Sequence, residues 1–315
     1  VINMDKLKKI GLTALGTVLV SSTAMAADIS VTGGANLVFD GQDNGDKGNG
    51  WSNSDTMTFS GSADLDNGWT ISQSQGLAGG SPDNRTLTIG MGDMGSLVFE
   101  QHDGSGPVGD WDDMMPHANE ESWSEVAGTV TAAAHGAGDA NSNFEYSNSN
   151  LVDGLNVVLF YQPSHTTSSI ESSTEVGVQY TGIDGLEVGY AFGDNNDGGA
   201  GASIENSNLY LKYAMDAFTI GYQVNETDAE AANGDSDFTA YGVSYAISDD
   251  MSVSYNVSKV EHDQSTESDQ EATALGVSYT SGGLTLAASM HEVDNVGGTS
   301  TTDNSGYEVV LSFAY

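Results

Sequence analysis

From residue 28 onward the chain alternates large apolar and polar residues in short segments, and no stretch offers a comparable 3.6-residue stripe. Leu186, Val188, Tyr190 and Phe192 alternate with Glu187, Gly189 and Ala191. Phe218, Ile220, Tyr222 and Val224 alternate with Thr219, Gly221, Gln223 and Asn225, and Tyr307 to Tyr315 repeats the pattern at the C-terminus. A repeat of two with β-branched and aromatic enrichment is the signature of strands with one apolar face. The reading gives sixteen segments, from 28–39, 55–65, 69–77 and 84–92 near the start to 305–315 at the end. Their connections alternate in length. Asp66-Asn67-Gly68, Asp93-Met94-Gly95, Asp184-Gly185, Ser248-Asp249-Asp250 and Ser281-Gly282-Gly283 are tight turns, whereas 40–54, 163–172, 194–203, 227–235, 262–269 and 294–304 are long polar loops.

Short turns on one side, long loops on the other and strands of bilayer-crossing length predict a transmembrane β-barrel. Closure removes the unpaired strand edge that hydrocarbon cannot hydrate. Trp69, Tyr180, Tyr213, Phe218, Tyr245, Tyr279, Phe313 and Tyr315 gather at the turn ends, as an interfacial girdle requires. The competing fold is a secreted or surface structural or adhesive β protein without a pore.

Composition narrows the function. The chain has 45 Asp+Glu against 7 Lys+Arg and a formal charge of −38. Such a surface repels phosphate backbones and excludes nucleic-acid binding. The absence of Cys excludes thiolate metal sites and Cys nucleophiles. Lys6, Lys8 and Lys9, then the apolar run Ile10 to Val20, then Ala24-Met25-Ala26 form the layout of a signal peptide over 1–26, with Met4 the expected start. The run is too short for a spanning helix, which needs roughly 20 residues. The remainder, 27–315, is read as one barrel domain.

The chain resembles the Gram-negative general porins, most closely their α-proteobacterial branch. The residues carrying this are Ala27-Asp28-Ile29-Ser30-Val31, Phe59-Ser60-Gly61 with the Leu65–Trp69 turn, the strand-turn-strand Ile89 to Glu100, and the terminal alternation. The resemblance implies a 16-stranded antiparallel barrel in the outer membrane of a Gram-negative bacterium. It further implies a homotrimer in contact with outer-membrane lipid and lipopolysaccharide, passing small hydrophilic solutes. It makes Tyr307, Val309, Leu311, Phe313 and Tyr315 the signal read by the outer-membrane assembly machinery. Ala63, Gln73 and Gln75 give the early strands a less apolar outer face, which is expected to meet neighbouring protomers.

The segment 103–140 stands out by length, and the resemblance implies an inward-folded third loop that constricts the pore. It carries Asp103, Asp110, Asp112, Asp113, Glu120, Glu121, Glu125 and Asp139, with no Lys or Arg. Parity opposite to the lipid-facing residues assigns Asp64, Glu100, Glu145, Glu175, Glu187, Lys212 and Glu308 to the lumen wall, Lys259 to the outer face near the loop rim, and leaves Arg85 undecided. The sequence departs from its relatives in having too few basic residues for a basic cluster across from the loop. The Pro-Glu-Phe-Gly loop tip of enteric members is also missing; Gly106-Pro107-Val108-Gly109 stands there instead. Carboxylates lining a wet pore concentrate cations, so the channel is expected to be cation-selective. Asp40, Asp43 and Asp46 are candidate Ca²⁺ ligands, although their spacing does not match an EF-hand; no other cofactor is expected. His102, His117, His135, His165, His262 and His291 form no His-x-His or His-Glu-x-x-His pair, with His291 assigned toward the lumen, and no enzymatic activity is expected.

Overall fold

The structure, a computed structural model, describes residues 29–43, 50–101, 105–130, 142–164, 172–195, 203–230, 234–264 and 266–315. The signal-peptide segment lies outside them. Sixteen strands follow in order: β1 Ser30–Gln42, β2 Trp51–Asp64, β3 Thr70–Ala78, β4 Ser81–Gly90, β5 Ser96–Gln101, β6 Asn143–Val152, β7 Leu155–Gln162 and β8 Ser173–Ile183. The second half comprises β9 Leu186–Asn195, β10 Ile204–Met215, β11 Phe218–Ala229, β12 Ser236–Ser248, β13 Met251–His262, β14 Gln270–Ser281, β15 Leu284–Asp294 and β16 Asn304–Ala314. Each pairs antiparallel with its neighbours in sequence, and β1 closes the barrel on β16 through pairs such as Leu37↔Leu311 and Phe39↔Val309. Among the described residues no helix is long and apolar enough to cross a membrane.

The alternation sets the two faces. Tyr222 opposes Tyr241 across β11 and β12, and Leu275 opposes Tyr255 across β13 and β14. These side chains are exposed, Leu275 at 57%, whereas the intervening Gln223, Ala240 and Asn256 are fully buried. An apolar face that stays exposed while the polar face is covered is inside-out relative to a soluble sheet, and it suits hydrocarbon outside and water within. The turn-end aromatics Tyr180, Tyr213, Phe218, Tyr245, Tyr279, Phe313 and Tyr315 lie on the outer face, and Phe218 packs on Tyr245 with ring centroids 4.5 Å apart. Sequence reading missed a second exposed aromatic row nearer the long loops, including Trp51, Tyr161, Phe192, Tyr241 and Tyr307.

Three expectations about the strands need correction. They range from 6 residues in β5 to 14 in β2 rather than holding near bilayer-crossing length. β1 and β2 extend into the expected loop 40–54, because Asp40 to Gln42 go on pairing with β16 and Trp51 to Ser54 with β1. The β3–β4 connection is a two-residue turn on the side of the long loops. Gly79 (φ 55°) and Gly80 (φ 77°) take the left-handed conformation that a tight hairpin demands, which lets the pairing run to Ala78↔Ser81.

Candidate functional site

After β5 the chain leaves the wall. Its described part, 105–130, lies along the polar face of the strands, the face that closure turns inward. It begins with one helical turn, α1 Pro107–Asp110, where Pro107 fills a first-turn position whose missing N–H costs nothing. Val108 (0% exposed) and Trp111 pack among Val158, Ala191 and Tyr210, with the Trp111 ring 6.1 Å from Tyr210 and edge-on. Met115 and Trp123 pack on Phe238, Ala240 and Val260, and Val126 on Ala272 and Val293. Three small apolar contacts thus hold a loop that is otherwise polar.

Backbone groups buried between the loop and the wall need partners, and wall side chains supply them. Val108 N–H donates to Glu175 Oε2 at 2.9 Å, and Asn208 Nδ2 donates to the Val108 carbonyl. Gln223 accepts from Met114 N–H at 2.8 Å and donates to the Trp111 and Asp112 carbonyls, with Asn225 Nδ2 adding a bond to the latter at 3.0 Å. Ala118 N–H donates to Ser254 Oγ, and Ser122 Oγ to Ser258 Oγ, each at 2.8 Å. Gln270 pairs with both backbone groups of Val130 at 2.9 Å, and Gln42 accepts from Ala127 N–H and donates to the Glu125 carbonyl. The contacts run from β7 and β8 through β16 to β1.

Glycines make room for this track. A Cβ on Gly177 would stand 2.6 Å from Pro107 and 2.7 Å from the Trp111 ring; at Gly221 and Gly242 it would meet Pro116, and at Gly306 it would stand 3.3 Å from Val126. The amides and the glycines are the functional residues that sequence reading passed over. Polar amides and glycines do recur at inward parity in mid-strand, but by parity alone they look like any water-facing position.

The acidic residues fall into three groups. Asp110, Glu100 and Glu145 line one recess of about 200 Å³ with Val98 and Ser105, whose hydroxyl donates to Asp110. Glu175 holds the loop backbone beside it. Next along the loop, His117 bridges Glu121 (Nε2–Oε1 3.0 Å) and the Asn119 carbonyl, with Asp112 and Asp113 nearby. Where the loop crosses β16, Glu120, Glu125 and Glu308 bring carboxylate oxygens within 4.8 Å of one another, and Asn119 Nδ2 donates to Glu308 Oε1 at 3.0 Å. Asp40 pairs with Glu308 across the β1–β16 seam.

Desolvation and crowding raise several of the loop carboxyls above the usual carboxylate range. Burial raises Asp112 to about 8, helped by the charge of Asp113. Glu125 rises to about 7, through burial and then Glu308 and Glu120. Asp110, Asp113 and Glu120 are also raised, in each case mainly by burial. The hydrogen bond to Glu121 raises His117.

On the wall, Glu187 Oε1 accepts from Tyr210 OH at 2.8 Å and Gln179 Nε2 at 3.1 Å, and Lys212 Nζ lies 3.7 Å from Oε2. Asp64 is exposed at the end of β2. Lys259 stands on the outer face in ion pairs with Glu261 (2.5 Å) and Asp269 (2.9 Å). Register settles Arg85: it opposes Gln75 and shares the face of Leu87 and Phe99, so it points outward. Asp103, Asp139, Asp46, His102, His135 and His165 lie outside the described residues. Asp40 and Asp43 belong to no cluster of candidate metal ligands among the described residues; Asp43 instead accepts from Ser305 Oγ at 3.0 Å. His291 faces the lumen, its Nδ1 3.5 Å from the Ser122 carbonyl.

The opposite side of the lumen is different. Of the described residues before Gly106, Gly76 alone is buried. Inner positions on β1–β4 carry Thr32, Thr58, Ser72, Ser74, Thr86 and Thr88, with Asp40 and Asp64 toward the two ends. The lumen thus has an acidic loop on one side and, on the other, a mostly hydroxylated wall with Asp40 and Asp64 toward its ends.

The sequence profile of the Gram-negative porins matches residues 11–272, most of the chain. The chain belongs to the Gram-negative porins. Its place is therefore the outer membrane, as a channel-forming barrel of a family whose members self-associate. No curated protein matches the sequence. Solved structures share the porin fold at low identity. OmpT, an outer membrane protein of Vibrio cholerae, is 15% identical with a TM-score of 0.69, covering 91% of this chain and 97% of its own. An anion-selective porin from Comamonas acidovorans is 14% identical with a TM-score of 0.68, covering 92% and 100%. A mutant of the Rhodopseudomonas blastica porin is 15% identical with a TM-score of 0.65, covering 91% and 100%.

Proposed function

We propose that the protein is a cation-selective channel for passive diffusion of small hydrophilic solutes, with segment 103–140 as its constriction. One observation carries the reading: the described carboxylates of that segment lie along the inner wall, and Lys212 is the inner face's one basic side chain among the described residues. Fixed carboxylates around a narrow, wet path attract cations and repel anions. The Comamonas porin is anion-selective on the same fold, so selectivity follows side chains rather than architecture. In a planar bilayer under a KCl gradient, the reversal potential takes the cation-selective sign; the opposite sign overturns the reading. Selectivity fades as salt rises, because the Debye length shrinks to about 3 Å at 1 M.

Residues 1–26 direct export and are removed, and the terminal alternation Tyr307 to Tyr315 serves barrel assembly. The chain carries no catalytic site in this reading. The assembly is a homotrimer that packs through the outer face of β2–β4. Arg85 supports this: on a lipid-facing surface near the midplane an Arg costs about 2–4 kcal/mol, and with Gln73, Gln75, Gly61 and Ala63 around it the face suits protein better than hydrocarbon. R85E is expected to turn the oligomer into monomers in unheated gels and by mass in detergent; an unchanged oligomer removes this face from the interface.

A further inference from the structure

On the short-turn side of the loop, a cleft of about 450 Å³ opens between the segment Asp113 to His117 and the inner wall of β9–β12. Its volume falls within the ~300–1,000 Å³ usual for small-molecule sites. Lys212 contributes the positive charge, with Thr219 and Ser244 as neighbouring hydroxyls on the wall; Asp113 and Glu187 contribute the negative charges, and Met114, Met115 and Pro116 an apolar side.

The charges in the cleft are unevenly committed. Glu187 is fixed by Tyr210 and Gln179 through one oxygen, yet Lys212 stands 3.7 Å from the other, too far for a hydrogen bond. Lys212 makes no hydrogen bond among the described residues; its one further contact is the Tyr210 ring, 5.9 Å from the ammonium to the centroid. Asp113 forms no ion pair among the described residues, because His117 is taken by Glu121. The cleft thus holds an ammonium in only a loose 3.7 Å ion pair with Glu187 and without a hydrogen bond, and a carboxylate, Asp113, with no ion pair among the described residues. A guest that brings a carboxylate to Lys212 and an ammonium to Asp113 and Glu187 satisfies both, and an apolar substituent on it would lie on the methionines.

We propose that the Lys212 cleft is a subsite for zwitterionic α-amino acids with apolar side chains, passed on the way through the channel. The proposal takes its meaning from the diffusion-channel reading, and its test keeps the two apart. The folded protein is reconstituted in planar bilayers, and block of the KCl current is titrated with L-methionine, L-methioninamide (cation) and N-acetyl-L-methionine (anion). Binding of the same probes to protein in detergent micelles is read by saturation-transfer NMR. Methionine is expected to half-saturate at a concentration at least about tenfold below either analogue, the worth of one charge-assisted hydrogen bond. K212Q brings methionine to the level of methioninamide, and K212R restores most of the difference. Methioninamide acting as well as methionine on the unmodified protein, or K212Q leaving methionine binding unchanged, overturns the subsite. Absence of any KCl current overturns the channel reading alone, since the micelle titration still decides the subsite.

Discussion

The barrel wall has two halves built on one strand pattern. Beneath the loop, β8–β16 turn buried amides, serines and glycines inward, and many of them, such as Asn208, Gln223, Ser254, Gln270, Gly177 and Gly221, meet chain 105–130. Facing it, β1–β4 turn inward hydroxyls with no hydrogen bond to 105–130 among the described residues; Ser74 and Thr86, for instance, hydrogen-bond each other at 2.6 Å. Outside, the two halves share the same apolar alternation, broken on β3–β4 by Gln73, Gln75 and Arg85. The inner residue type therefore records what each stretch of wall has to hold. An amide is required where a buried peptide group needs a donor and an acceptor at once, and a hydroxyl suffices against water.

The largest expected effect comes from removing the charge asymmetry. Changing Asp112, Asp113, Glu120 and Glu125 together to their amides should lower the cation:anion permeability ratio several-fold, each charge being worth about 1 kcal/mol at 4 Å in water. Asp64→Asn on the open half should change it little. A ratio unmoved by the fourfold change would separate selectivity from the loop.

Next comes the glycine track. Gly177→Val pushes a methyl-bearing carbon into Pro107 and Trp111. Overpacking of this kind costs about 1–3 kcal/mol, so the loop should loosen and single-channel conductance rise. Ser72→Val on the facing wall adds comparable bulk without touching the loop and should leave amide protection of Val108 and Met114 unchanged.

Acidity gives a smaller, graded effect. Asp112 and Glu125 titrate near 8 and 7 in the docked loop, so cation selectivity should climb between about pH 6 and 9. Docking should move the other way. A carboxyl that holds its proton more tightly when buried favours the buried state below its unfolded pKa, and that advantage is lost as pH rises through 7 and 8. Protection factors of the loop amides should therefore fall over the same interval; protection that rises instead contradicts the burial argument.

The smallest test removes one clasp. Gln223→Leu leaves the Met114 N–H and the Trp111 carbonyl short of a partner, costing about 1–3 kcal/mol for an unsatisfied buried group. Ser74→Ala on the open half should stay within about 0.5 kcal/mol.

How far the sequence carried these halves follows from their physics. Strand order, parity and the tight turns were legible because the period is two and every strand faces the same pair of solvents. The inward placement of Lys212 and Glu175, and the outward placement of Lys259, follow from parity alone. Arg85 shares parity with Leu87 but stays open when read as the start of its strand; β4 in fact begins at Ser81, and register places Arg85 outward. The amide clasps were illegible as clasps: Gln223 or Asn208 looks like any water-facing position until a distant segment, more than 90 residues away in the chain, supplies the peptide group it holds. The Gly79–Gly80 turn was missed because the alternation gives segments 69–77 and 84–92, whereas the pairing runs on to Ala78↔Ser81.

The clasps also impose an order on how the molecule can be built. The bonds from segment 105–130 span from 67 residues, to Glu175, to 189, to Glu308, and they reach strands on both sides of the β1–β16 seam. Contacts this distant pay their chain-closure entropy late. Most partners of the segment are made after it in the chain, and Gln42 and Glu308 become neighbours only once the first and last strands meet. Segment 105–130 is therefore expected to dock after the cylinder has closed, as a late step of maturation.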